Sequence, residues 1–521
     1  MLSVSTMFTR GHYLALLLLV LGLALRIWDI NARALWFDEA SEYWVATAPL
    51  SALPAAVRDA TGDPPLYSFL LHVWTRLGTG EIWMRSLSVL FSVAGLAGAM
   101  VFARALGGWS AGAAAGVLIA LNPADVRYAQ DAGQYALMPA AIVWSLVALD
   151  RIVRGGGWRW ILVWTASALA ASYLYYGAVF SVMVPFACVV AESVFARDLR
   201  RRRTTGTALV LYVAGVLPLL VYFLPAQLGR VVASGDAGAG GAAVSGAAAA
   251  WRWLCEMLAF QFTGWPYTRV PAVIPIAAAG LLLFLAVRAQ RRVAIWLAAT
   301  WVVYGAADAA GVFPHGYRWG MILFPLLVTV MSAGVAASKI SRRAAPIALV
   351  ALTTLILASV VSLPNRSLRD RFHGHEKWPW PETEDMRVVV RHWREQRTEA
   401  QPTYVYYGAA PAFAYYTRDM APREGLPPTW HLACWHDETT PGFCRANSIY
   451  YGRWLRRFDT AQKVNSVFSS FGGRPAEFWI VFGHIAPTDD RDMLAALLQQ
   501  GYRIGSAVQA KDAAAFLLTR P

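Results

Sequence analysis

Long apolar stretches recur along the first 363 residues of the chain, separated by polar loops, two of them long. A bilayer-spanning helix needs roughly 20 mostly apolar residues, with about 17 the practical lower bound. By that measure eleven spans are predicted, near 12–29, 84–104, 109–122, 135–150, 159–175, 178–195, 207–225, 271–287, 293–310, 317–336 and 345–362. The third is short and rich in Gly and Ala. The first is long for the apolar region of a signal peptide and is read as a span. After residue 363 the pattern changes to shorter segments of mixed period. Helices are predicted over 384–396, 411–416 and 489–500, and strands over 403–407, 477–482, 502–508 and 513–519. Alternation of this kind predicts a small α/β layer domain. No Gly-rich phosphate loop interrupts it. The expected fold is a polytopic α-helical membrane module over 1–363, with outer loops 30–82 and 226–270, followed by an α/β domain over 364–521.

Composition agrees with this division. Hydrophobic residues make up 57% of the 521 residues and charged residues only 15%, where a soluble globular chain carries about 25% charged. Mean hydropathy is +0.42. So many apolar side chains exclude a disordered chain, and four cysteines in this length exclude a disulfide scaffold.

The net charge of +14 raises the question of nucleic acid. Its placement answers it. Every second inter-span loop is basic: Arg151, Arg154 and Arg159; Arg197 with Arg200, Arg201, Arg202 and Arg203; Arg288, Arg291 and Arg292; Lys339, Arg342 and Arg343. Lys and Arg are retained on the cytoplasmic side. The charge is therefore read as a topology signal, with no nucleic-acid partner. An odd number of spans then puts 364–521 outside the cytoplasm of a multi-pass plasma (inner) membrane protein, together with loops 30–82, 123–134, 226–270 and 311–316.

Two outer loops have features of their own. The stretch 65–77 is amphipathic and aromatic, as suits a helix lying among the membrane lipids at the interface. The Gly/Ala-rich stretch 234–250 reads as a flexible spacer or a lid, and leads into a second interfacial candidate at 251–261. In the C-terminal domain Cys434 and Cys444 are disulfide candidates in an exported compartment. The alternatives are two free thiols, or a metal site with His431 and His436. Cys188 and Cys255 read as packing residues.

Four polar clusters fall on the outer face. In Trp36-Phe37-Asp38-Glu39-Ala40, one carboxylate beside an apolar boundary can take a proton from a hydroxyl while the other orients it or binds a cation. Equally, the pair can be a helix N-terminal charge favoured by the macrodipole. Asp63-Pro64-Pro65-Leu66-Tyr67 enters the aromatic helix that carries His72 and Trp74, with Asp63 a ligand or a helix cap. Tyr128, Gln130, Asp131, Gln134 and Tyr135 sit at the mouth of the fourth span, with Asp131 and Tyr135 four apart and so expected on one helix face. His315, Tyr317 and Arg318 stand at the outer end of the tenth span. Arg318 offers planar donors to a phosphate, with Asp308 a candidate partner, or else simply snorkels. That all four clusters respect the topology points to a site at the outer membrane boundary.

Taken together, these residues resemble the GT-C membrane glycosyltransferases, in the branch of the protein O-mannosyltransferases and the lipid A aminoarabinose transferases. The resemblance rests on Asp38-Glu39 in the first outer loop, Pro64-Pro65-Leu66-Tyr67, the stretch 130–137 and the trailing outer domain. It implies a polyprenyl-phosphate sugar as donor and a lipid, glycan or protein acceptor. It implies that Asp38 is the catalytic carboxylate, with Glu39 beside it, and that Arg318 lies near the donor phosphate. Asp63, Tyr67, Arg85, Gln130, Asp131, Tyr135, His315 and Tyr317 are then candidate donor-binding residues. Where many bacterial relatives have His before Pro-Pro, this chain has Asp63. Where they have Glu-Ala-Arg-Pro-Tyr, it has Asp131-Ala132-Gly133-Gln134-Tyr135. Charge developing on the leaving phosphate is expected to be met by Arg318, by Arg85 or by a divalent cation. A flippase or transporter for a lipid-linked saccharide is the alternative; it would place ionisable groups at mid-membrane. A glycan polymerase or ligase is another, and would favour a large loop between spans.

Overall fold

In a computed structural model, the described residues are 10–234, 290–309, 321–337, 384–420, 443–446, 448–452, 459–484 and 489–521. The chain divides into two compact units. One comprises Met1–Ile30, Gly62–Tyr67 and Met84–Phe372; the other comprises Asn31–Thr61, Ser68–Trp83 and His373–Pro521. Most of the first long loop thus folds with the C-terminal segment.

The first unit is helical. Its described helices include Arg10–Ile27, Pro123–Ala129, Leu137–Val153, Trp158–Leu174, Ala178–Phe195, Arg291–Ala309 and Phe324–Ala337. Three helices among the described residues are long and apolar enough to cross a membrane: Glu81–Ala120, Ala178–Phe195 and Leu199–Gly229. The predicted spans 271–287 and 345–362, and the stretches 234–250 and 251–261, lie essentially outside the described residues. The helix Leu199–Gly229 leaves Val210, Val213, Leu217 and Val221 exposed along its length. Water would not tolerate so long an apolar face on one helix, whereas lipid asks for it.

The helix Glu81–Ala120 is two antiparallel helices in sequence. Gly107 and Gly108 leave helical geometry, with Gly108 at φ 74° and ψ −167°, a conformation open essentially to Gly alone. Beyond it the chain doubles back, so that a Cβ on Gly112 would lie 3.0 Å from the Met100 carbonyl and one on Gly116 would lie 3.1 Å from Met100 Sδ. The small residues of 109–120 therefore serve close packing.

The ends of these helices sort into two sets. At one, Arg154 donates to the Ala105 carbonyl at 3.0 Å, Arg201 to Val153 at 3.2 Å, Gln290 to Leu106 at 2.7 Å, and Arg292 pairs with Glu192 at 2.9 Å. At the other, Gln130 Nε2 reaches the Trp28 carbonyl at 2.9 Å, Ser88 donates to Gly133 at 3.3 Å, and Gln227 donates to the Asp63 carbonyl at 2.8 Å. Loops that alternate along the sequence therefore gather at alternate ends, as up-and-down threading requires.

The second unit is built on a six-stranded mixed sheet. Its strands are β1 (Thr403–Val405), β2 (Phe443–Ala446), β3 (Ile449–Gly452), β4 (Glu477–Gly483), β5 (Arg503–Ala510) and β6 (Ala513–Thr519). The order is β2-β3-β1-β4-β6-β5, with β1 parallel to β3 and β4 and the other pairs antiparallel. Side chains alternate across it. Phe478, Ile480 and Phe482 join Val464, Phe468, Met493 and Leu497 of helices Thr460–Phe471 and Asp489–Gln499 in one apolar core. On the other face Trp479 lies 6.2 Å from His392 of helix Met386–Gln396, whose Trp393 donates to Thr403 Oγ1 at 3.1 Å. The helices therefore cover both faces of the sheet. Three further helices from the first long loop, Phe37–Ala46, Leu53–Ala60 and most of Leu66–Thr75, complete the unit.

Candidate functional site

Asp38 and Glu39 occupy the first turn of helix Phe37–Ala46. The local geometry matches the macrodipole reading, because first-turn carboxylates meet the unpaired N–H groups of a helix start. It leaves their environments unequal: Glu39 is buried and Asp38 is half-buried. The helix is held on its far side. Trp44 Nε1 donates to the Pro411 carbonyl at 3.1 Å, and the Tyr43 ring meets Tyr415 edge-on at 5.0 Å.

A third carboxyl comes to the same place from 346 residues further along the chain. Glu384, just ahead of helix Met386–Gln396, is 2% exposed. Burial pushes it well above the usual carboxylate range, Asp512 and Asp38 push the same way, and only the Phe37 backbone N–H opposes them among its described neighbours. Asp512, in the β5–β6 turn, is itself pushed up to about 6, first by burial and then by Asp490, against Lys511. His484, at the end of β4, stacks on Phe37 with ring centres 4.8 Å apart. It is brought there by a close approach at Gly408, where a Cβ would lie 2.5 Å from the Gly483 carbonyl and 2.6 Å from that of His484. The sequence reading saw Glu384 only as the start of a helix, since nothing local announces its distant neighbours.

Four of the remaining predicted residues of the first unit form two groups. In one, Tyr176 donates to Gln227 Oε1 at 2.5 Å while Gln227 holds the Asp63 carbonyl, so Asp63 is anchored by its backbone. Burial and the charge of Asp63 raise the Tyr176 phenol above its ordinary range. Tyr67, four residues on, is buried. In the other, Arg85 is fully buried and donates to the Ile30 carbonyl at 3.0 Å, and Gln130 caps carbonyls at the end of the first helix. Both tie the first helix to its neighbours.

Asp131 and Tyr135 do not share a helix face. Helix Pro123–Ala129 ends before them and helix Leu137–Val153 begins after them. The intervening turn is stabilised by the Gly133 N–H donating to the Asp131 carbonyl at 2.9 Å. Both side chains nonetheless flank Gly133, where a Cβ would lie 3.7 Å from Asp131 Oδ2 and 3.5 Å from the Tyr135 ring. His72 is a satisfied core histidine: its two ring nitrogens face the Ala46 carbonyl at 2.8 Å and Arg76 at 2.9 Å.

His315, Tyr317, Arg318, Cys434 and Cys255 lie outside the described residues, as do the side chains of Cys444 and Asp308. Among the described residues no three His, Cys, Asp or Glu are placed to hold a metal ion.

A buried ion pair that the sequence reading missed lies in the first unit. Arg26 is fully buried and bonds Asp125, Ser92 Oγ at 2.6 Å, and the Gly22 and Ile119 carbonyls at 2.8 and 3.2 Å. All three nitrogens of the guanidinium are engaged within the protein, which marks a brace between helices. In the second unit a cavity of about 630 Å³ is lined by Arg387, Arg391, Arg394 and Arg418. The first three stand at i, i+4 and i+7 on one helix, whose other side buries Met386, Val389 and Trp393.

The solved structures that this chain resembles are those of GT-C glycosyltransferases, and the resemblance is one of fold. The chain aligns with the crystal structure of ArnT from Cupriavidus metallidurans bound to undecaprenyl phosphate over 98% of each chain, with a TM-score of 0.56 at 15% identity. The apo state of the same protein aligns over 98% of each chain, with a TM-score of 0.56 at 14% identity. The Archaeoglobus fulgidus oligosaccharyltransferase in complex with Zn and sulfate aligns at a TM-score of 0.46 and 14% identity, over 77% of this chain and 61% of its own. No family model matches the sequence, and no curated protein matches it.

Proposed function

We propose that the protein is a multi-pass plasma-membrane glycosyltransferase. It moves a sugar from a polyprenyl-phosphate donor to a lipid, glycan or protein acceptor on the outer face, where the C-terminal unit also lies. The observation that carries the reading is the likeness to ArnT over 98% of both chains, in a structure of ArnT bound to undecaprenyl phosphate. The gathering of the basic loops at one end of the first unit supports the orientation.

In this reading the acceptor hydroxyl attacks the anomeric carbon. Its O–H bond breaks, and Asp38 takes the proton. The bond from the anomeric carbon to the phosphate oxygen breaks, and the polyprenyl phosphate leaves with the electron pair. Half-burial suits Asp38 to this role: the carboxylate stays reachable while the helix start holds it in place. Arg318 is the candidate cation for the developing charge on the phosphate. Arg85, spent on the Ile30 carbonyl and fully buried, is better suited to hold the helix ends. Asp63, Tyr67, Gln130, Asp131, Tyr135, His315 and Tyr317 are the candidate donor-side residues.

The test is incubation of the purified protein with a panel of polyprenyl-phosphate sugars, with and without chelator, read as free polyprenyl phosphate. Acceptor-dependent release from at least one member is expected. Release from none, alongside movement of the intact donor across vesicle membranes, would contradict transfer in favour of transport.

A further inference from the structure

The first helix, Arg10–Ile27, does not pack evenly on the hairpin made by Glu81–Ala120. It approaches closely at two glycines: a Cβ on Gly11 would run into the Trp109 ring, and one on Gly22 into the Leu96 side chain. Between these points, roughly 16 Å apart along the helix, a cleft of about 180 Å³ stays open. Ala15, Ala97 and Ala113 line it, too short to meet across it. Leu14 and Val101 line it as well and are 44% and 38% exposed, so the cleft opens sideways on an apolar surface. Leu17, Val20 and Leu21 of the same helix are exposed too. Lipid is the solvent that suits such a surface.

One end of the cleft is polar. Arg104 and Trp109 stand on either side of the Gly107-Gly108 turn. The Arg104 guanidinium lies over the Trp109 ring at 3.6 Å, and the His12 ring meets that indole edge-on at 4.7 Å. Stacking uses the face of a guanidinium and leaves its N–H groups, which lie in the plane, to other partners. Among the described residues those N–H groups take no hydrogen bond and no ion pair. No acidic side chain lines the cleft. The next two carbonyls, of Ala105 and Leu106, accept from Arg154 and Gln290, so this end is the one at which the basic loops gather.

We propose that the cleft binds one anionic phospholipid of the leaflet on the side of the basic loops. An acyl chain lies between the first helix and the hairpin, and the headgroup phosphate accepts from Arg104. A zwitterionic phospholipid brings the same chain and phosphate but also a cation, which Arg104 repels, so it binds more weakly. Lipid seated there fills the seam and stabilises the helical unit by mass action. The site needs the helical unit to lie in a bilayer, and it does not depend on the transfer reaction.

The experiment uses the full chain in an uncharged detergent. Bound lipid is counted by native mass spectrometry as phosphatidylglycerol or phosphatidylcholine with the same acyl chains is added, and thermal unfolding is the second readout. The wild type should take up one phosphatidylglycerol at least about tenfold more tightly than phosphatidylcholine, with an unfolding midpoint that rises with its concentration. Arg104→Gln should lose the preference. Arg203→Gln, which removes an exposed charge from a basic loop at the same end, should keep it. Ala97→Leu, which narrows the cleft, should weaken uptake with Arg104 still in place. Should Ala97→Leu fail to fold, the wild type and the two arginine variants decide. Equal uptake of the two lipids by the wild type would overturn the proposal, as would equal losses in Arg104→Gln and Arg203→Gln. Uptake of polyprenyl phosphate in place of phosphatidylglycerol would overturn it as well. None of these readouts is sugar transfer, so failure here leaves the proposed function standing.

Discussion

Arg26 and Asp125 make the helical unit's stability depend on a pair rather than on either residue. Arg26 gives its Nε to Ser92 Oγ at 2.6 Å and its terminal nitrogens to Asp125 and to the Gly22 and Ile119 carbonyls. Asp125 also accepts from Ser92 at 3.1 Å. Side-chain exposures are 0% for Arg26 and 6% for Asp125. Removing one partner strands the other's charge away from water, which costs about 3–5 kcal/mol for a buried pair. Arg26→Met should therefore cost that much, and Asp125→Leu a similar amount. The double substitution strands no charge. It loses two hydrogen bonds to carbonyls, about 1 kcal/mol each, and gains apolar packing. Its cost should lie near 2 kcal/mol, leaving a coupling of at least about 4 kcal/mol in a double-mutant cycle. Unfolding of purified protein in mild detergent, followed by circular dichroism against added denaturing detergent, measures all four corners. Single substitutions that add within about 0.5 kcal/mol would refute the brace.

Two other substitutions test separate parts of the account. Gly108→Ala forces a Cβ into φ 74° and ψ −167° and should destabilise by about 1–3 kcal/mol. Gly62→Ala, with nothing within 4 Å of the added Cβ, should change stability by no more than about 0.5 kcal/mol in the same unfolding assay. Asp512 binds its proton more tightly folded than unfolded, with its carboxyl raised from 3.8 to about 6. Folded stability should thus be fully present below the unfolded value and decline as pH rises from about 4 to about 6. The full shift of roughly two units corresponds to about 3 kcal/mol. Partial exposure reduces the expectation to about 1–2 kcal/mol. Asp512→Asn should remove that part of the slope, and an unchanged slope would contradict the assignment.

What the sequence disclosed follows from how far each signal reaches. The apolar stretches and the basic loops are local and strong, and the described helices fall on them. Strands 477–482 and 513–519 were legible because alternate apolar residues face two helix layers. β2 and β3 escaped because four residues carry no readable period. Helix Thr460–Phe471 was legible and overlooked: Asp459 and Gln462 form a capping box, Gly472 ends it in the left-handed region, and Val464, Val467, Phe468 and Phe471 follow at helical spacing. Helix Leu66–Thr75 was seen and the start of Phe37–Ala46 was one of two readings of Asp38-Glu39, but Leu53–Ala60 was missed, its apolar face being short. In the site, Asp38 and Glu39 announced themselves as adjacent carboxylates. Glu384 and the pair of Arg26 with Asp125 did not, because each depends on a partner some hundred or more residues away.

Asp38→Asn tests the central claim most directly. Asn keeps the size and polarity of the side chain but cannot take the acceptor proton. Polyprenyl phosphate release by the variant should fall by a factor on the order of 10²–10⁴, with unchanged circular dichroism and unfolding midpoint. Release at the wild-type rate from a folded Asp38→Asn protein would contradict the account.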